Sequence, residues 1–219
     1  MAQGVMIIAE QRDGDIRKIS YELVSEGKRL ADASGQELTA VLLGSNIKDK
    51  AAELGKYGAA KVLVADDPRL EKYTTDAYAA VIAEIVKASD PAILLLGASA
   101  QGKDLAGRMA AKLGVGMAQD CTQFAVEGGK LVATRPIYAG KVYAKVTYDD
   151  SFPNMATARP NVMAINEPGE SSAEVADAAF TLDDGAIKTK VADAVKDASG
   201  KVDLTEADKI DPELRRRPQ

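Results

Sequence analysis

The chain has 219 residues, of which 46% are hydrophobic and only 5% aromatic, and its formal net charge is −5. That is enough for one sizeable domain with a small appendage, and the acidic balance argues against broad binding to nucleic acid or anionic membranes. Histidine is absent and Cys121 is the single cysteine. These counts exclude Ser-His and Cys-His catalytic dyads, histidine-based metal sites and internal disulfides.

The first half of the chain alternates short apolar runs with segments of helical periodicity. Strands are predicted at 4–9, 37–43, 61–65 and 92–96, and helices at 16–31, 48–56 and 74–87. Gly35 stands where the first helix should end in a left-handed residue, and Thr74 or Thr75 can cap the third helix. This alternation with short loops predicts an α/β fold, a doubly wound and mostly parallel sheet with helices on both faces.

A loop at 97–104, with the sequence GASAQGKD, follows the fourth strand and opens a helix that runs to Leu113. Its glycines permit a tight turn, and the free amides at the start of the helix would face a phosphate or another anion. The sequence therefore offers a possible nucleotide-binding set, although a degenerate one, formed by Gly97, Ser99, Gly102, Lys103 and Arg108.

The same loop comes within one residue of the P-loop pattern of nucleotide hydrolases. Asp104 occupies the position of the Ser or Thr hydroxyl that binds magnesium, and its carboxylate would repel the phosphates. We therefore interpret Asp104 as the N-cap or a first-turn acid of its helix. Arg108, four residues on, either pairs with Asp104 or faces the carboxyl edge of the sheet and binds a nucleotide or a carboxylate.

After Leu113 the pattern changes to short β-like segments, at 121–126, 131–135, 142–148 and 155–158. Gly128-Gly129 is typical of a hairpin turn, so antiparallel strands are expected to extend the parallel sheet. From Asn166 onward the chain is polar. Alternation at Ala178, Phe180 and Leu182, and again at 188–191, predicts exposed strands or an extended arm whose packing depends on a partner.

Two arginines, Arg135 and Arg159, precede prolines, and proline biases the preceding residue to an extended conformation. Such a chain can project the guanidinium from the end of a strand into an interface. With Tyr138, these two arginines form the candidate partner interface. Cys121 has no basic neighbour in the sequence that would favour its thiolate, so a small buried residue is favoured over a reactive thiol.

Five segments, in the same order along the chain, resemble the alpha subunit of electron-transfer flavoproteins. They are LLLGASAQGKDLAGR at 94–108, AQDCT at 118–122, RPIYAG at 135–140, TARP at 157–160 and VDLTEAD at 202–208. The resemblance covers nearly the whole chain. It implies an adenine-nucleotide α-hydrolase-like fold that carries no catalytic residue and no metal site of its own.

The resemblance also implies a heterodimer with a beta subunit of similar fold. In that family FAD is held chiefly by the C-terminal domain of the alpha subunit, and AMP or a second FAD lies in the beta subunit. Electrons pass from acyl-CoA or other dehydrogenases to a quinone oxidoreductase or another acceptor. We expect a cytoplasmic protein without membrane insertion or nucleic-acid binding.

After Asp208 the chain departs from the family pattern, which continues there into a phosphate-binding segment of the FAD domain. We expect an N-terminal α/β domain at 1–165, a polar arm at 166–208 and a tail at 209–219 with a solvated arginine cluster at 215–217. The chain is then either a truncated product or a natural short form. In both cases the chain alone is expected to bind no flavin. The alternative is a stand-alone adenine-nucleotide-binding module that uses the amides of 98–103 and Arg108, while a nucleotide hydrolase is disfavoured.

Overall fold

The computed structural model describes residues 2–170 and 173–192 and is built on a seven-stranded parallel sheet. Its strands are β1 (Val5–Ala9), β4 (Leu38–Gly44), β5 (Lys61–Asp66), β6 (Ile93–Gly97), β7 (Met117–Cys121), β11 (Asn154–Ala158) and β12 (Glu174–Asp177). Their spatial order is β12-β5-β4-β1-β6-β11-β7, and every neighbouring pair is parallel. All five residues of the central strand β1 are buried, as expected for a strand covered on both faces.

Helices cover both faces of this sheet, which confirms the predicted doubly wound architecture. They are α1 (Lys18–Ser34), α2 (Ala51–Gly55), α3 (Thr75–Ser89) and α4 (Ala100–Leu113). Alternate residues of β1 separate the two cores: Ile7 packs with the apolar face of α1, and Met6 packs with α3 and α4. Gly35 ends α1 in the left-handed conformation, as predicted.

Two small antiparallel sheets complete the fold. One is the ribbon of β2 (Gln11–Arg12) and β3 (Asp15–Ile16), and the other contains β8 (Gln123–Glu127), β9 (Lys130–Ile137) and β10 (Val142–Val146). Gly128 and Gly129, both at positive φ, close the predicted β8–β9 hairpin. The β11 segment, expected beside these antiparallel strands, instead lies in the parallel sheet between β6 and β7.

The polar segment after Asn166 packs more closely on this chain than its sequence suggests. Strand β12 pairs with β5 at the edge of the parallel sheet, and Ala178, Phe180 and Leu182 point inward onto the core beneath α3 and α4. Leu182 is only 6% exposed. Leu182 is therefore covered by its own chain without a partner, whereas Ala178 and Phe180 are only partly buried, and a partner's contribution there stays a prediction.

The 202–208 segment, the tail at 209–219 and the arginine cluster at 215–217 lie outside the described residues. The division of the chain at residue 165 stays a prediction. Over residues 2–170 and 173–192, no helix combines the length and apolar character needed to cross a membrane.

Candidate functional site

A cavity of about 850 Å³ opens at the carboxyl edge of the parallel sheet. Strands β4 and β5 lie on one side of β1, and β6, β11 and β7 lie on the other, so the chain changes direction between β1 and β6. Sheets of this kind bind ligands at that switch point. Residues that follow β1, β6 and β11, together with the end of β7, line this carboxyl-edge cavity. Its charged side chains are Arg12, Arg17, Lys18, Glu22, Lys103, Asp120 and Arg159.

The start of α4 faces a carboxylate of the protein itself. Ser99 is the N-cap, and its Oγ accepts a hydrogen bond from the Gly102 amide at 2.9 Å. The Ser99 hydroxyl lies 2.8 and 2.7 Å from the two carboxylate oxygens of Glu10, which is 4% exposed and 3.6 Å from Arg17. Glu10 therefore supplies the negative charge that the positive end of the helix favours, in the place where a phosphate would bind.

The two loop glycines are required by this close packing. A Cβ on Gly102 would lie 2.0 Å from the carbonyl oxygen of Gly97 and 2.8 Å from Glu10 Oε1. A Cβ on Gly97 would lie 2.6 Å from the same carboxylate oxygen. The nearest neighbours of both glycines are thus protein atoms, which gives the glycine spacing a structural reason that needs no nucleotide.

Asp104 and Arg108 bind α3 and do not pair with each other. Asp104 accepts hydrogen bonds from the hydroxyls of Tyr73, at 2.7 Å, and Thr75. Arg108 forms an ion pair with Asp76. The interpretation of Asp104 as the N-cap or a first-turn acid is wrong, because Ser99 is the N-cap and the first turn of α4 contains no acidic residue. The Asp104–Arg108 pair is replaced by contacts with Tyr73, Thr75 and Asp76.

The start of α3 agrees with the prediction in position but not in the expected hydrogen bond. Thr74 occupies the N-cap position but makes no capping hydrogen bond through its side chain. Its Oγ1 is buried and has no hydrogen-bond partner among the described residues.

Asp120 and Arg159 form an ion pair in one wall of the cavity. Arg159 Nε and Nη2 donate to the two carboxylate oxygens of Asp120, at 3.0 and 2.7 Å, and this guanidinium holds the pKa of Asp120 below its usual value. Asp120 has a φ of 57°, and its amide donates to the hydroxyl of the buried Thr157 at 2.8 Å. A left-handed aspartate held in this way at a strand end is a strained feature of the kind found at functional sites.

Glu22 lies on α1 in the opposite wall and is 1% exposed. Its Oε1 accepts a hydrogen bond from the Asn161 amide at 3.1 Å, while Oε2 has no hydrogen-bond partner among the described residues. Burial raises the pKa of this carboxyl. Sequence reasoning missed Glu22, although its position three residues after Ile19 on the apolar face of a helix was a readable signal.

The wall of the cavity suits an anion better than a flavin ring. Its apolar members are Ile19, Pro160 and two alanines, and no aromatic side chain is among the described lining residues. An isoalloxazine ring is bound by extended apolar or aromatic surfaces, so these residues do not fit it. Nor do the described residues contain a group of three or more His, Cys, Asp or Glu side chains that could hold a metal ion.

Of the predicted nucleotide-binding set, the structure brings Ser99 and Lys103 to the cavity. Gly97 and Gly102 shape the loop behind them, and Arg108 is held at Asp76 of α3. Whether any of the five contacts a ligand stays a prediction. Cys121, next to Asp120, is fully buried as expected, and this burial raises the pKa of its thiol to about 11.

The predicted interface residues Arg135, Tyr138 and Arg159 surround a second hollow, of about 430 Å³, beside the β9–β10 turn. Tyr138 is 77% exposed and Tyr143 is 62% exposed. Tyr138 and Ala139 are both left-handed, with φ of 51° and 55°. We refer to Arg135, Tyr138, Tyr143 and Arg159 as the hairpin patch.

Comparisons with known proteins find the same family along almost the whole chain. A family model described as "Electron transfer flavoprotein domain" matches residues 5–197. Protein FixB of Clostridium saccharobutylicum is 41% identical over 94% of this chain, and electron transfer flavoprotein subunit alpha of Clostridium acetobutylicum is 42% identical over 94%. The corresponding alpha subunit of Bacillus subtilis is 36% identical over 94% of the chain. In each case the chain spans 62% of the relative's length.

Proposed function

The chain belongs to the electron transfer flavoprotein domain family, and we propose that it acts as the N-terminal part of an alpha subunit that pairs with a beta subunit. The complete complex would carry electrons from acyl-CoA or other dehydrogenases to a quinone oxidoreductase or another acceptor. The observation that carries this proposal is 42% identity, over 94% of the chain, to a protein named as an alpha subunit. In this proposal the described residues dock a beta subunit, and electron transfer is a property of the complete complex.

The hairpin patch is the surface that best suits a beta subunit. Tyrosine and arginine are enriched in protein interfaces, where they combine a large contact area with polar groups. Tyr138 projects from a turn held in a strained left-handed conformation, which displays the ring away from its own chain. Arg135 lines the hollow beside this turn, together with Tyr138 and Arg159.

We assign FAD to the complete complex and place it away from the carboxyl-edge cavity, because the residues of that cavity do not fit a flavin ring. AMP would lie in the beta subunit. The polar arm at 166–208 would lead toward the flavin-binding part of an alpha subunit. A cytoplasmic location follows from the same proposal.

The test is the affinity of the purified chain for a beta subunit of an electron transfer flavoprotein, measured by biolayer interferometry. Tyr138→Ser should weaken binding by about tenfold or more, since a central interface tyrosine contributes strongly to affinity. Val175→Ser is the matched control. It replaces an exposed apolar side chain of β12, at the opposite edge of the parallel sheet, and should leave the affinity unchanged.

Two results would count against the proposal. One is the absence of saturable binding by the unsubstituted chain at micromolar concentrations. The other is an equal loss of affinity for Tyr138→Ser and Val175→Ser, which would remove the hairpin patch from the interface.

A further inference from the structure

The hairpin patch and the residues beside it are basic, on a chain whose net charge is −5. We propose that the surface of the beta subunit that meets this patch is acidic, and that Lys141 and Lys145 speed the encounter by attracting it. This inference rests on the proposed docking function and adds to it the charge of the partner surface.

The segment that carries the patch contains basic residues and no acidic ones. Within 128–148 there is no aspartate or glutamate. The cationic residues of this range are Lys130, Arg135, Lys141 and Lys145. Lys130 is neutralised by an ion pair with Asp150. The hollow beside the turn is lined by Arg135 and Arg159, and no acidic side chain is among its described lining residues.

Lys141 and Lys145 lie beside the exposed tyrosines of the patch. The Lys141 amide donates a hydrogen bond to the carbonyl of Tyr138 at 3.2 Å, so this lysine closes the turn. Lys145 is two residues beyond Tyr143 on β10, and alternation along a strand places both on the same face. Both lysines are exposed, and their side chains form no hydrogen bond or ion pair with the described residues. Their charges are therefore available to a partner.

The one carboxylate that pairs with the patch does not cancel its charge. Asp120 is hydrogen-bonded to Arg159, and this contact is the main cause that holds the pKa of Asp120 below its usual value. The charges of Lys103 and Arg135 lower the pKa further. One negative charge thus faces three positive ones, which leaves an excess of positive charge on this side of the molecule.

The apolar content of the same surface favours a protein over a nucleic acid as its partner. Val142 is 48% exposed and lies next to Tyr143. Exposed aromatic and apolar side chains supply the contact area of protein interfaces. Nucleic-acid binding instead takes its affinity from many phosphate contacts along a basic surface, whereas the chain is acidic overall. An acidic protein surface suits both the charge and the apolar side chains.

The test is the salt dependence of the binding rates of a beta subunit, measured by biolayer interferometry at about 25 mM and about 400 mM NaCl. We expect the association rate constant to fall about tenfold or more as salt rises, with a much smaller change in the dissociation rate constant. Lys141→Glu combined with Lys145→Glu should lower the association rate constant at low salt by about tenfold and remove most of its salt dependence.

Lys87→Glu combined with Lys112→Glu is the matched control. It makes the same change in net charge at two exposed positions near the ends of α3 and α4, at the amino edge of the parallel sheet. This control variant should keep the association rate and the salt dependence of the unsubstituted chain.

The outcomes separate this inference from the docking proposal. Saturable binding whose association rate does not depend on salt, or equal slowing by the two double variants, would overturn the acidic partner surface and leave docking intact. The absence of saturable binding at either salt concentration would contradict both. Saturable binding of a single-stranded oligonucleotide that is lost in the Lys141 and Lys145 double variant would assign the basic surface to nucleic acid and overturn the inference.

Discussion

Glu10 is the residue on which the geometry at the start of α4 depends. It is buried, and its carboxylate accepts a hydrogen bond from the Ser99 hydroxyl. Its Oε2 lies 3.6 Å from Nη1 of Arg17. Glu10→Gln keeps the shape of the side chain but removes its charge, and should lower the free energy of unfolding by about 2 kcal/mol. Urea denaturation measures this change. Glu37→Gln, at an exposed position, should stay within about 0.5 kcal/mol of the unsubstituted chain, and equal effects would contradict the assigned role of Glu10.

The burial of Cys121 leads to a prediction about how stability and thiol reactivity depend on pH. Its pKa of about 11 lies above the value of about 8.5 for an unfolded chain, so the folded state favours the neutral thiol. The contribution of this group to stability is therefore present below about pH 8.5 and is lost as the pH rises toward 11. At pH 8 the native thiol should react with iodoacetamide about a hundredfold more slowly than the thiol in urea. Similar rates in both states would show that Cys121 is accessible.

Only some of the residues that line the cavity could be identified from the sequence. Ser99 and Lys103 follow a strand and open a helix, so their position could be read from the local pattern. Other cavity residues, Glu10, Glu22 and Asp120, acquire their roles only from neighbours that are distant in the chain. Ser99, which contacts Glu10, lies 89 residues away, and Asn161, which contacts Glu22, lies 139 residues away. Periodicity carries no information about such contacts.

Helix α4 contains two glycines whose substitution should have opposite effects. A Cβ at Gly102 would meet the backbone of Gly97 at 2.0 Å, so Gly102→Ala should destabilise the chain by more than about 3 kcal/mol. Nothing lies within 4 Å of the corresponding position at Gly107, which is exposed in the helix interior. Gly107→Ala should therefore raise the free energy of unfolding by about 0.5–1 kcal/mol.

Thermal and urea unfolding of the two variants, measured side by side, checks this pair. A tolerated Gly102→Ala would mean that the approach of the loop to β6 is looser than described. A destabilising Gly107→Ala would mean that this face of α4 is covered.

Most elements of the first half were predictable because each has its own local signal. Strands β1, β4, β5 and β6 are short apolar runs separated by helices of clear periodicity. Strand β7 has the mixed sequence MAQDC, and its pairing with β11 shifts register next to the left-handed Asp120, so its place in the sheet could not be read from alternation. The parallel position of β11 likewise depends on its neighbours β6 and β7 rather than on its own residues.

In the whole molecule, the carboxyl-edge cavity and the hairpin patch lie next to each other and share Arg159. Asp120 holds that guanidinium between the two openings. The fold class could be predicted from the sequence, and the three interface residues stay a prediction. That Arg159 lines both openings could be known only from the tertiary structure.

The docking proposal is tested most directly by hydrogen exchange of the chain, measured by mass spectrometry with and without a beta subunit. We expect amides at 135–143 to exchange more slowly in the mixture, because they belong to the hairpin patch and its turn. Amides at 174–177, in the edge strand β12 at the far side of the sheet, should exchange at the same rate in both samples. Protection confined to β12, or no protection anywhere, would contradict the proposal that this chain binds a beta subunit through the hairpin patch.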